Sequence, residues 1–128
     1  MKLAIIGSRS ITDISTKKFI DEYIDKYAEK SSGGITEIVS GGAKGIDTLA
    51  RELANRRGIR LTEFLPDYRR FGRGAPLKRN ESIAEYADCA IAFWDGKSSG
   101  TAHTVKLFEG LGKPVKIILI TPDENKIR

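Results

Sequence analysis

Apolar residues in this chain come in two rhythms. Leu3-Ala4-Ile5-Ile6 is a short unbroken run ending at Gly7, as expected of a strand covered on both faces. Ile20, Tyr23, Ile24, Tyr27 and Ala28 recur at three- and four-residue spacing, which predicts a helix with Asp13 or Ser15 as its N-cap. Ser31-Ser32-Gly33-Gly34 ends it. Thr36–Ser40 predicts a second strand and Gly41–Gly45 a turn. Ile46, Leu49, Ala50, Leu53 and Ala54 again share one helical face, with Gly58 where a residue just past the helix end belongs. Ile59–Phe64 reads as a third strand and Leu65–Leu77 as a long loop rich in glycine and arginine. Asn80 is expected to cap a short helix reaching Ala87. Cys89–Trp94, Gly100–Leu111 and Val115–Ile120 then predict strand, helix and strand, with Gly112-Lys113-Pro114 as the stop before the last.

Five apolar strands alternating with four helical segments predict an α/β fold. The expected architecture is a single Rossmann-like three-layer α/β/α domain over residues 1–128, built on a five-stranded parallel sheet. Right-handed crossovers leave few topologies, of which the order 3-2-1-4-5 leads. A chain of 128 residues buries roughly two-thirds of its unfolded surface without a metal or disulfide staple. With 40% hydrophobic and 30% charged residues it is neither disordered nor fibrous. No apolar run approaches the roughly 18 residues of a membrane span, so no membrane partner is expected. The first apolar stretch is too short for a signal peptide, and the single Cys89 excludes an internal disulfide; both suggest the cytoplasm. One histidine and one cysteine do not make a usual zinc site, and the reading invokes no cofactor.

Charge narrows the picture. Lys and Arg number 22 against 17 Asp and Glu, a net charge of +5. Between Leu65 and Asn80 stand Arg69, Arg70, Arg73, Lys78 and Arg79 against Asp67 alone, so nearly all the excess lies in one stretch. That points to a local anion site rather than a uniformly basic surface. Parallel sheets bind ligands beyond the carboxyl ends of their strands, here near the switch between strands one and four. The segments that would meet there are Gly7-Ser8-Arg9-Ser10, Ser40 to Asp47, Pro66 to Arg70 and Asp95 to Thr101. Glycine lets backbone N–H groups approach an oxyanion, and the helices starting after Gly45 and Ser99 would aim their N-termini at the same rim. The candidate ligand-binding residues are Gly7, Ser8, Arg9, Ser40, Gly41, Gly42, Ala43, Gly45, Asp67, Arg79, Asn80, Gly96, Ser99, Gly100 and Thr101. Arg79 would fork onto a phosphate, while Asn80 holds a ribose hydroxyl or caps its helix, and Asp67 accepts from sugar hydroxyls or holds a basic neighbour.

Several other residues have competing readings. Lys44 is a phosphate contact or a surface lysine, and Asp47 complements a helix dipole. Trp94 closes the core edge more naturally than it stacks on a base, and Cys89 is a small core residue. His103 has no carboxylate or serine partner placed by the sequence. Tyr68 and Phe71 interleave with Arg69, Arg70 and Arg73, a composition shared by nucleotide pockets and grooves for single-stranded nucleic acid. Two familiar phosphate motifs are absent. Lys44 precedes Gly45 with no Ser or Thr in register, so there is no P-loop, and Ser40 stands where a dinucleotide fingerprint needs glycine.

Ser40-Gly41-Gly42-Ala43-Lys44-Gly45-Ile46-Asp47 together with Ser98-Ser99-Gly100-Thr101 resembles the paired signature of the SLOG superfamily, which includes the LONELY GUY phosphoribohydrolases and the DNA-processing protein A family. The stretch from Asp67-Tyr68 through Gly72 and Gly74 to Arg79-Asn80 resembles a narrower branch, the YspA-type, YpsA-related SLOG family. The resemblance runs from Ile5 to about Val115. It implies a Rossmann-like domain that senses or processes nucleotides, and a homo-oligomer. The phosphoribohydrolases carry Pro-Gly-Gly-x-Gly-Thr-x-x-Glu, whose glutamate serves N-glycosidic cleavage; here that position is Thr104. A hydroxyl cannot replace a carboxylate as base or oxocarbenium stabiliser, and Glu109 falls on a different helix face. The expected function is therefore binding of a nucleotide or nucleotide-derived phosphosugar. Alternatives are an N-glycoside hydrolase or ribosyltransferase-like enzyme using another carboxylate, and a single-stranded nucleic-acid module.

Overall fold

The computed structural model describes residues 1–7, 14–30, 34–41 and 46–120. The elements run β1 (Lys2–Gly7), α1 (Ile14–Lys30), β2 (Glu37–Ser40), α2 (Ile46–Arg57), β3 (Arg60–Glu63), α3 (Tyr68–Phe71), a 3-10 turn (Gly72–Gly74), α4 (Ala75–Tyr86), β4 (Cys89–Trp94), α5 (Ser99–Gly110) and β5 (Val115–Leu119). Every strand pairing is parallel and the sheet order is β3-β2-β1-β4-β5, as the strand rhythm and the handedness rule imply.

Alternation along the strands builds two cores. Leu3, Ile5, Ile38, Ile91 and Phe93 pack on Ile20 and Ile24 of α1 and on Leu49 and Leu53 of α2. Ala4, Val39, Ala90 and Ala92 face the other way, against Ile83 and Ala84 of α4 and Val105 and Phe108 of α5. The alanines leave room for α4 and α5 to lie close to the sheet. Phe93 and Phe108 are fully buried, each contributing about 1.5–3 kcal/mol of transfer free energy. Among the described residues no helix is long and apolar enough to cross a membrane.

The long loop expected over Leu65–Leu77 is instead mostly helical, and Asn80 is not a cap. Asp67 accepts a hydrogen bond from the Arg70 amide at 3.2 Å and so starts α3. Pro76 sits in the first turn of α4, where its missing N–H costs nothing. The helix therefore begins at Ala75, and Arg79 and Asn80 lie in its second turn rather than at its start. Ser15 falls inside α1, so it is not that helix's cap, and Asp13 lies outside the described residues. Gly58 ends α2 as expected: at φ +65°, it lets its own amide reach Asn55 O at 3.4 Å and the Ile59 amide reach Ala54 O at 3.0 Å.

Polar ties cross between elements as well, among them two at strand ends. At the amino end of β2 the buried Glu37 carboxylate accepts from the Thr62 and Tyr86 hydroxyls at 2.5 Å each. Those bonds hold Glu37 below its ordinary value of 4.5, and the same contact raises Tyr86. Ahead of β5, the Lys113 ammonium donates to the carbonyls of Ala84 and Glu85 at 2.7 and 2.8 Å, satisfying the C-terminal end of α4.

Candidate functional site

Parallel pairing brings the carboxyl ends of β2, β1 and β4 together, with Gly7 level with Phe93 across the β1–β4 switch. The rim beyond β4 is a tightly bonded turn. Asp95 Oδ1 accepts from the Lys97 and Ser98 amides at 2.8 Å each. Gly96 between them has φ +82°, which only glycine adopts without strain. Trp94 donates its indole N–H to Ser98 O at 2.9 Å, so it clamps this turn. Ser98 is the N-cap of α5, its Oγ accepting from the Thr101 amide at 3.5 Å.

What this turn presents is the open start of α5. Ser99 and Gly100 are exposed, and a Cβ on Gly100 would meet nothing within 4 Å. Thr101 is only 6% exposed, and its hydroxyl donates to Ser98 Oγ at 3.3 Å. Thr104, at the position of the hydrolases' glutamate, is buried and donates back to Gly100 O at 2.9 Å. Both hydroxyls are thus taken up by bonds within the first turns of α5.

On the β2 side, Ser40 and Gly41 are buried at the strand end. Arg79 reaches across from α4: its Nη1 donates to Gly41 O at 3.0 Å and its Nε to Asn80 Oδ1 at 2.9 Å. Asn80 is 7% exposed, and its Nδ2 lies 3.4 Å from Nδ1 of His103 on α5. One chain of contacts thus joins the end of β2 to α4 and α5. Asp67 is exposed and occupied as the cap of α3, although it lines a cleft of about 260 Å³ with Arg79, Phe64 and Leu65. The structure therefore brings Gly41, Arg79 and Asn80 into direct contact and sets Asp67 at the start of α3, in the same cleft as Arg79. Ser8, Arg9, Gly42, Ala43, Lys44 and Gly45 lie outside the described residues.

Asp95 and Ser98 were not among the candidates, though an Asp-Gly turn followed by a serine before a helix is a readable signal. The pairing of Asn80 with His103 leaves no local trace, because it joins two helices. Cys89 is 2% exposed, and burial raises its thiol, as befits an inert core residue. Among the described residues no group of three or more His, Cys, Asp or Glu side chains could hold a metal ion.

The sequence model of the YspA, cpYpsA-related SLOG family matches residues 1–71, more than half of the chain. The chain belongs to this family. A curated relative is the Gene 61 protein of Mycobacterium phage D29, 31% identical over 120 residues, which are 89% of this chain and 93% of that protein. Two solved structures share the SLOG fold. DNA processing protein A from Helicobacter pylori, studied for its single-stranded DNA binding mode, superposes with a TM-score of 0.69 at 24% identity over 91% of this chain. The Streptococcus pneumoniae protein of the same name gives 0.74 at 21% identity over 94%. The chain spans 64% and 50% of those two proteins. The family match ends at Phe71, so in this SLOG domain Arg79, Asn80 and the start of α5 rest on their own geometry.

Proposed function

We propose that this SLOG domain binds a nucleotide or nucleotide-derived phosphosugar at the rim between the ends of β2 and β4, as a sensor or as a processing enzyme. The observation that carries the reading is Arg79, a guanidinium held by the Gly41 carbonyl and by the Asn80 amide, which itself meets His103 one turn into α5. A fixed planar cation and exposed helix N–H groups suit a phosphate better than either does alone. Asn80, bonded through both atoms of its amide, orients Arg79 and is a positioning residue. Titration against nucleoside monophosphates, ADP-ribose and NAD tests the reading. Arg79→Ala is expected to weaken binding about tenfold or more, as loss of a charged hydrogen bond does. No binding stronger than about millimolar across the panel would overturn it.

N-glycosidic hydrolysis has less support, because Thr104 is buried and bonded to its own helix. Release of free base from a nucleoside monophosphate would restore it. A polynucleotide reading is favoured by a different surface. Tyr68 is 57% exposed, and neither Arg69 nor Arg73 beside it has a partner among the described residues. Exposed rings with unpaired arginines suit stacked bases and phosphates, in the direction of the Helicobacter pylori neighbour's ligand. That reading requires affinity for single-stranded DNA that falls with salt; a flat dependence discards it. A cytoplasmic homo-oligomer, which the superfamily resemblance implies, is part of the proposal, and light scattering of the purified protein checks the assembly.

A further inference from the structure

Beyond the rim a groove of about 320 Å³ opens between α3, the start of α4 and α5, lined by Phe71, Gly74, Leu77, Lys78, Glu81 and His103. Phe71 and Leu77 are 39% and 51% exposed, apolar walls that the core does not need. Lys78 and Glu81 pair with each other at 3.6 Å, so the groove has polar groups but little net charge. That is unlike the rim, where Arg79 supplies fixed positive charge. Its apolar walls suit a planar heterocycle better than a second phosphate.

The hydrogen-bond chain also settles what His103 offers there. Arg79 Nε is a donor only, so the Asn80 atom it meets is the carbonyl oxygen. Asn80 then turns its amide nitrogen, again a donor only, toward His103 Nδ1. Nδ1 must accept, and the neutral ring carries its proton on Nε2. His103 lies four residues after Ser99, on the same face of α5 and about 6 Å further along the axis. One nucleotide is long enough to reach from a phosphate at the helix start to a base beside His103.

We infer that this groove seats the base of the ligand, between the Phe71 and Leu77 side chains and the Nε2–H of His103. The inference rests on the nucleotide reading above and narrows it: the ligand carries a heterocycle, and a bare phosphosugar fills only half of the site. Calorimetric titration of AMP, GMP and ribose 5-phosphate into the wild-type protein, His103→Ala and Leu77→Ser tests it, with thermal melts confirming that each variant folds. Leu77→Ser is expected to weaken the nucleotides about tenfold and to leave ribose 5-phosphate unchanged, whereas His103→Ala, which also frees Asn80 behind Arg79, is expected to weaken the nucleotides more than ribose 5-phosphate. Equal losses for nucleotide and sugar phosphate, or no loss for either, would overturn the groove while leaving the rim intact. Failure of the wild type to bind any of the three, or any other member of the panel above, removes the rim reading itself. Nitrogen-15 NMR supplies a readout independent of affinity. The expected signature is an Nε2-protonated neutral ring whose Nε2–H signal shifts on addition of AMP. An Nδ1-protonated ring, or no shift at saturating AMP, contradicts the assignment.

Discussion

Glu37 shows how much one side chain can depend on neighbours far away in sequence. Its carboxylate takes hydroxyl donors from Thr62 and Tyr86, 25 and 49 positions on, and it stands level with Lys2 and Arg60 on the flanking strands. Because its folded value lies below 4.5, its contribution is present above that pH and is lost as the pH falls through the lowered value. Tyr86 is raised above its ordinary 10.0, so its share is complete below that pH and is lost as the pH rises through the raised value. Denaturant midpoints should therefore fall on acidification below about 4.5. Glu37→Gln should remove part of that slope and cost about 1–2 kcal/mol at neutral pH. An unchanged acid limb in the variant would show that other carboxylates govern it. At this scale the sequence marked residue types well and partners poorly. Arg79 was legible as one of a run of cations, but nothing local tells that its guanidinium grips a carbonyl 38 residues away.

Among the elements, the long periodic helices and apolar strands were legible, and the short ones were not. Four residues of α3 complete barely one turn, too few to display a helical period, and their arginines and glycines imitate a loop. Pro76 carried the correct signal, since proline favours the first turn of a helix, but it competes with the same residue's reading as a loop breaker. The start of α3 depends on one carboxylate. Asp67→Ala should cost about 1 kcal/mol locally, seen as faster hydrogen exchange at the Arg70 and Phe71 amides with the global melting temperature nearly unchanged. If the whole domain melts earlier by several degrees, α3 is an integral part of the core and not an appendage.

For the molecule as a whole, handedness and strand burial determine the sheet order, which is why topology was readable from apolar rhythm alone. The convergence of the β2, β1 and β4 carboxyl ends followed from that order. The groove beyond it did not, because it depends on how α4 and α5 pack on a face of alanines. Ala90 and Ala92 are almost completely buried beneath these helices. Ala92→Leu should push the layer outward at a cost of about 1–3 kcal/mol, and should disturb the Asn80–His103 contact with it. Nitrogen-15 spectra of His103 and a denaturant melt of the same variant would report both effects; a stable protein with altered histidine signals separates packing of the groove from folding of the domain.

Lys113 places a positive amine where two peptide oxygens of α4 would otherwise end unsatisfied, and it does so from the approach to the outermost strand. Acylating agents must first pull that amine away from both oxygens, so it should be modified more slowly than exposed Lys97 or Lys106, as mass spectrometry of a labelling time course would show. Once neutralised, it would free the sheet margin and the helix bearing Arg79 together. A covalent change at the sheet margin would thereby reach the guanidinium to which the proposed function assigns the anion.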